Sequence, residues 1–245
     1  GRGAMSETAW SEDLSRTYRE LARYAVPERE RQVRLVVDLV RAAEVEGDVL
    51  DLCCGEGELA AAVHAALPGV GLLAYDGSAS MLEVVRGRLA EARLATRVID
   101  LEASDWRRFD APLRAVVSSL AIHHVDTAEK RALFADLAAA LAPGGVFVLA
   151  DIVRPARPVG HAVAGWMWDE EVRRRSLALD GDERGFALFQ EADWNNFNHG
   201  VFQPLDKPST VVEHVDLLRA AGFVDVDLHW MLAGQAVFSA WKPAA

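Results

Sequence analysis

The stretch Val49-Leu50-Asp51-Leu52-Cys53-Cys54-Gly55-Glu56-Gly57-Glu58-Leu59 decides the fold. It reads as a short apolar run, a glycine turn and the start of an alanine-rich segment, Leu59 to Leu67, made almost wholly of helix formers. An apolar run without period-2 alternation suits a central parallel strand covered on both faces, so the turn falls at that strand's carboxyl end. In an open α/β sheet ligands bind there, and glycines let the backbone approach a ligand that a Cβ would hold off. Asp51 points a carboxylate into the same crevice, with Glu56 and Glu58 close behind. A nicotinamide site wants a pyrophosphate on the helix N-terminus; these acids repel phosphate and welcome an ammonium.

Further along, Val70 to Tyr75 reads as a second buried strand ending at Asp76, 19 residues beyond Gly57. An acid about 20 residues after a glycine turn can accept both hydroxyl hydrogen bonds of a ribose; an acid with Ser78 close behind also caps a helix. Thr96 to Ile99 is a third short strand, ending at Asp100-Leu101.

An acid at a strand end, two glycines one residue apart and a second acid further on resemble motif I of the class I S-adenosylmethionine (SAM) dependent methyltransferases. The family pattern is D-x-G-x-G-x-G; Asp51, Gly55 and Gly57 match it, and Cys53 stands at the first glycine. Leu-Asp-Leu-Cys-Cys-Gly is similar to a variant found in small-molecule members. The resemblance implies SAM as cofactor and S-adenosylhomocysteine (SAH) as product. It puts Asp51 on the methionyl amine, Gly55 and Gly57 at the close backbone approach, Asp76 on the ribose, and Asp100 and Leu101 on the adenine. Cys53, Gly77 and Ser119 join that set. Met81 is a candidate for the adenine face, or filler on an apolar stripe. Tyr18, on a leading helix spanning Ser6 to Ala25, is a candidate for reaching over the cofactor, or part of a packed helix face.

Leu113 to Ser119 is the next strand, running into Leu120-Ala121-Ile122-His123-His124-Val125. This resembles the family's segment after that strand, and it lacks the D/N-P-P-Y-like motif of nucleic-acid base methyltransferases. His124, and less so His123, can take a proton from a substrate, since an unperturbed imidazole titrates near neutrality; both also suit structural hydrogen bonds. A two-histidine metal site needs a third ligand from elsewhere, and Ser118 and Ser119 offer no carboxylate, so no metal is expected.

Helices are expected over Glu28 to Glu44, with Val33, Val36, Val37 and Val40 on one face, and after the Asp126-Thr127-Ala128-Glu129 capping signature. Pro143-Gly144-Gly145 reads as a stop, followed by a fifth strand, Val146 to Ala150, ending at Asp151. Residues 152–208 change character. So long a loop without structure is implausible, and helices over Ala162 to Leu179 and Asp182 to Trp194 are expected, forming the family's substrate lid. Trp166, Trp194, Asn195 and His199 are the candidate acceptor contacts, a mixture of large apolar surface and adaptable hydrogen bonds; the aromatics could equally fasten the lid. A Thr210 to Glu213 capping box opens the last helix, and Phe223 to Trp230 and Gln235 to Trp241 alternate as an antiparallel pair with one buried face.

The expected fold is therefore α/β: a seven-stranded, mostly parallel, doubly wound sheet with an antiparallel last strand and a helical lid after the fifth strand. Its parts are an N-terminal segment and cap helix (1–27), a SAM-binding core (28–151), the lid (152–208) and a closing helix and hairpin (209–245).

The 245 residues carry a formal net charge of −11 and are 51% apolar. The acid excess disfavours nucleic acid, whose binding draws on Lys and Arg, and leaves small molecules as the expected substrates. Two adjacent cysteines make neither a disulfide framework nor a zinc spacing, and no apolar run spans a membrane, so a reducing cytoplasm is expected. Gly1 to Ala4 look like a tag remnant before Met5. The activity implied is methyl transfer to an oxygen or nitrogen of a small, partly apolar metabolite, with carbon acceptors open. Another SAM reaction, such as carboxy-SAM formation or cyclisation, or SAM binding without catalysis, are the alternatives; a homodimer is also considered.

Overall fold

The computed structural model describes residues 12–244, so the first six positions of the helix expected over Ser6 to Ala25 lie outside the described residues. Seven strands, β1 (Val49–Leu52), β2 (Leu72–Asp76), β3 (Leu94–Val98), β4 (Leu113–Ser119), β5 (Leu141–Ile152), β6 (Val224–Leu232) and β7 (Gln235–Trp241), form one sheet. Their order is β3-β2-β1-β4-β5-β7-β6, and the pairs among β1 to β5 are parallel. β7 runs antiparallel to both its neighbours, so the last strand alone is reversed.

Strand side chains alternate between the faces, and each face has its own core. Leu50, Leu52, Val116, Phe147, Leu149 and Phe238 pack against α5 (Thr127–Ala140) and α8 (Val211–Ala220). Val49, Val117, Val148 and Val237 pack against α2 (Arg29–Ala42) and α3 (Glu58–Ala66). The chain switches from one side of β1 to the other between β3 and β4, so the crevice for a ligand lies at the carboxyl ends of β1 and β4.

Two expectations are corrected. The alternation predicts a half-buried β7, yet its residues from Gln235 to Ala240 are all buried, because its two faces pack into the two cores, Phe238 in one and Val237 in the other; its hairpin partner β6, at one edge of the sheet, keeps an exposed face. Pro143-Gly144-Gly145 does not precede the fifth strand but lies within it: Leu141 already pairs with Leu113, and the ladder resumes at Val146 opposite Ala115. The extra residues are absorbed as an irregularity at which Gly144 adopts φ 80° and donates to Lys242 O at 3.0 Å.

The lid holds two helices, α6 (Pro158–Asp180) and α7 (Arg184–Glu191), and packs against α1 (Glu12–Ala25). Leu21 and Tyr24 of α1 share a third core with Trp168, Val172, Phe186, Phe189 and Phe197. Trp168 Nε1 donates to Ala25 O at 2.7 Å. The lid's two ends are clasped together: Arg154 N donates to Ser209 O at 2.9 Å, and its Nε reaches Pro208 O at 3.4 Å. From α5, the fully buried Lys130 donates to Lys207 O at 2.5 Å and Ser209 Oγ at 2.9 Å.

Candidate active site

A cavity of about 710 Å³ opens at the carboxyl ends of β1, β2 and β4, roofed by α1 and the end of α6, a size within the roughly 300–1,000 Å³ usual for small-molecule sites. Tyr18, Asp51, Cys53, Gly55, Asp76, Gly77, Met81, Asp100, Leu101, Ser119 and His124 all line it. Ten of these are in the cofactor set named from the sequence, and the eleventh is the candidate base.

Local geometry explains their positions. Asp51 is buried at the end of β1 and accepts a hydrogen bond from Ala60 N at 3.0 Å. Burial, with Asp76 nearby, pushes its carboxyl up to about 7, against the Ala60 bond and the Arg29 guanidinium, which pull it down. Asp76 accepts from Gly55 N and from Ser78 N, both at 2.8 Å, and so ties the glycine turn to the second strand tip. Gly55 has φ 52°, and a Cβ built there meets nothing within 4 Å, so its open side is free for a ligand. Cys53 stands where the family pattern has glycine and takes a glycine-like φ of 57°. Burial pushes the Cys53 and Cys54 thiols up, which keeps them protonated and unreactive.

Gly57 does not line the cavity. It sits at the start of α3 with φ 75°, where an added Cβ would meet Val85 Cγ2 of α4 (Ala79–Arg88) at 3.0 Å, so this glycine serves close helix packing. Asp100 is exposed at the mouth and accepts from Glu102 N at 3.0 Å. Ser78 Oγ, as cap of α4, accepts from Met81 N at 3.2 Å.

The lid candidates stand elsewhere. Trp166, Trp194, Asn195 and His199 do not line the cavity. Trp166 is 56% exposed. Trp194 lies 6.5 Å from the Tyr18 ring. Asn195 is buried inside the lid and donates to Gly165 O and Asp169 Oδ1. His199 pairs with Asp193 at 3.0 Å.

Arginines are what the sequence reading missed. Arg29 lines the cavity beside Asp51, donating to Ser119 Oγ at 2.8 Å and to Glu58 Oε2 at 2.6 Å, and Arg19 pairs with Glu56 at 3.1 Å. A cation facing the acid pocket suits a ligand that carries both an ammonium and a carboxylate, as an amino acid does. Arg23, Arg88 and Arg175 line the cavity as well, and only the fold, which brings their helices to the strand tips, sets these five apart from the other arginines.

His123 and His124 fall in a short 3₁₀ turn (Ile122–His124) after β4. His123 Nδ1 lies 2.5 Å from Asp151 Oδ1, and Asp151 Oδ2 accepts from His123 N at 2.9 Å. Burial alone would lower the His123 pKa and raise that of Asp151; each partner's charge outweighs it, so His123 lies above its ordinary value and Asp151 below. His124 moves the other way, lowered by burial and by His123 against the pull of Asp206. It is therefore neutral near pH 7, with its Nδ1 3.3 Å from Asp206 Oδ1 at the lid's return.

This geometry has known counterparts. Residues 49–145 match the family described as methyltransferase domain. A ubiquinone/menaquinone biosynthesis C-methyltransferase of Desulfotalea psychrophila is 26% identical over 188 residues, 77% of this chain and 70% of the relative. Among solved structures, an O-methyltransferase family 2 protein from Planctomyces limnophilus in complex with apigenin superposes with a TM-score of 0.61 at 16% identity, over 94% of this chain and 62% of that one. Human N-acetylserotonin methyltransferase in complex with SAM gives 0.55 at 18% identity, over 89% of this chain and 52% of that one. The chain thus spans little more than half the length of these solved neighbours, and the likeness to them is one of fold. No described helix is long and apolar enough to cross a membrane. Acids at successive strand tips, a glycine turn opening onto the crevice and the matched domain converge on one conclusion: residues 49–145 form a methyltransferase domain, and the chain around them has the class I S-adenosylmethionine-dependent methyltransferase fold.

Proposed function

We propose that this enzyme moves the methyl group of SAM to an oxygen or nitrogen atom of a small, partly apolar metabolite, with His124 as the base. The observation that carries this reading is the position of His124, which lines the same cavity as Asp51, Gly55 and Asp76 with its Nδ1 3.3 Å from Asp206 Oδ1, while burial lowers its pKa. SAM supplies an electrophilic methyl group on a sulfonium. Around it, Asp51 holds the methionyl ammonium, Arg29 its carboxylate, Asp76 the ribose hydroxyls, and Asp100 and Leu101 the adenine. Leu120, Val125, Leu179 and Leu205 give the remaining wall its apolar character and are the acceptor contacts we favour over Trp166, Trp194, Asn195 and His199. The net charge of −11 argues against nucleic acid as acceptor. Two free cysteines fit a reducing cytoplasm. The exposed Val159, Val163 and Trp166, one stripe along α6, are the face we favour for a homodimer.

Carbon remains the second acceptor, favoured by the relative that is itself a C-methyltransferase. Incubation with methyl-labelled SAM and a panel of phenols, amines and quinols separates the two. The chemical shift of the transferred methyl carbon reports its new neighbour, and label on oxygen or nitrogen is expected. His124→Gln should lower kcat by about 10²-fold or more while SAH affinity stays unchanged. Label on carbon, or a variant as fast as the parent, overturns the reading.

A further inference from the structure

We propose that His123, His124 and Asp206, completed by the Leu205 carbonyl, bind a divalent first-row metal ion of the zinc type in the wall of the cavity. The sequence separates these donors by about eighty positions, and the lid's return to the sheet brings them together. A tetrahedral ion with bonds of about 2.0–2.1 Å sets its donors roughly 3.3–3.5 Å apart. Two donor pairs here match that spacing, His124 Nδ1 to Asp206 Oδ1 and His124 Nδ1 to Leu205 O, both at 3.3 Å, and a third, His123 Nε2 to Asp206 Oδ1 at 3.6 Å, is about 0.1 Å too long. Ligand atoms of the two histidines and Asp206 all lie within 4.8 Å of one another.

The surroundings are those of a built site. Asp151 engages His123 Nδ1 at 2.5 Å and its backbone N–H at 2.9 Å. That carboxylate fixes the ring so that Nε2 is the nitrogen turned to Asp206, the outer-shell arrangement that orients histidines on metals. The neighbouring ammonium of Lys130 is engaged by Lys207 O and Ser209 Oγ. Two imidazoles and one carboxylate suit zinc or cobalt(II), whereas magnesium and calcium want oxygen donors. An ion on His124 Nδ1 leaves Nε2 protonated, so the ion-bound protein is the inactive form of the enzyme and the ion-free protein its active form; that consequence alone rests on the base role proposed above.

The test needs no acceptor. The full chain, stripped with chelator and saturated with SAH to block the acids at the strand tips, is titrated with Co²⁺. One ion per chain should bind in the micromolar range, with the visible bands of four-coordinate cobalt, unchanged by excess Mg²⁺. Asp206→Asn or, should that variant fold poorly, His124→Gln should abolish the bands. Asp151→Asn should weaken binding by about 10- to 100-fold. Asp193→Asn, at the exposed His199 pair, should change nothing. No cobalt spectrum, displacement by Mg²⁺, or bands that survive both ligand variants would overturn the proposal.

Discussion

The strand tips and the lid enclose one cavity but are organised in opposite ways. At the tips, position follows from register. Asp51 and Asp76 end neighbouring parallel strands, and each spends part of its hydrogen-bonding capacity on a backbone N–H of the turn or helix beside it. In the lid, the large side chains face one another: Trp168, Phe189 and Phe197 build a small core with α1, and only the end of α6 and Leu205 of the return reach the cavity. The tips are a fixed instrument for a constant ligand, whereas the lid is a separately stabilised wall.

This contrast can be broken first at Asp76. Asp76→Ala strands two backbone donors, Gly55 N of the glycine turn and Ser78 N of the next helix cap, as well as removing the ribose contact proposed above, and should weaken SAH binding by about 3 kcal/mol, roughly a hundredfold, by titration calorimetry. Affinity within a fewfold of the parent would mean that the turn holds its shape alone.

Asp51 sharpens the contrast through pH. Burial raises its carboxyl to about 7, so the ligand-free protein keeps it protonated below that pH. An ammonium favours the carboxylate, so SAH affinity should rise about fivefold between pH 6 and 7 and about tenfold in all between pH 6 and 8, flatten above, and be accompanied by proton release at the low end. Asp51→Asn should bind weakly and without this pH profile. The same linkage acts on stability: because the folded value exceeds the ordinary 3.8, the Asp51 contribution is full below that pH and is lost as pH rises towards about 7.

The smallest effect is expected in the lid. Trp168→Phe removes the bond to Ala25 O inside the third core. It should cost about 1–2 kcal/mol, a fall in melting temperature of roughly 3–6 °C, with SAH affinity unchanged. A loss of affinity comparable to that of Asp51→Asn would dissolve the distinction between tips and lid.

The same division governs what the sequence could tell. Strands, helices and the acids at the tips were legible because each is a local pattern: an apolar run, a glycine pair, an acid at a fixed distance. The capping box at Thr210 and Glu213 is fully formed, as its spacing predicts. The burial of β7 escapes its sequence because modest alternation cannot reveal that both of its faces are covered by packed cores. Arg29, Asp206 and the packing role of Gly57 were invisible for a related reason: each is defined by a partner, Ser119, His124 or Val85, that lies far away in sequence.

The clasp between Arg154 and Ser209 has a further consequence. Because the excursion leaves and returns through one neck joined by the Arg154–Ser209 backbone bond and by Lys130, we expect its interior to tolerate exchange while the strands keep their register. Such a loop is an exchangeable cassette: a different acceptor preference could be grafted between the two ends of the neck, provided that the new insert still offers Leu21 and Tyr24 an apolar floor.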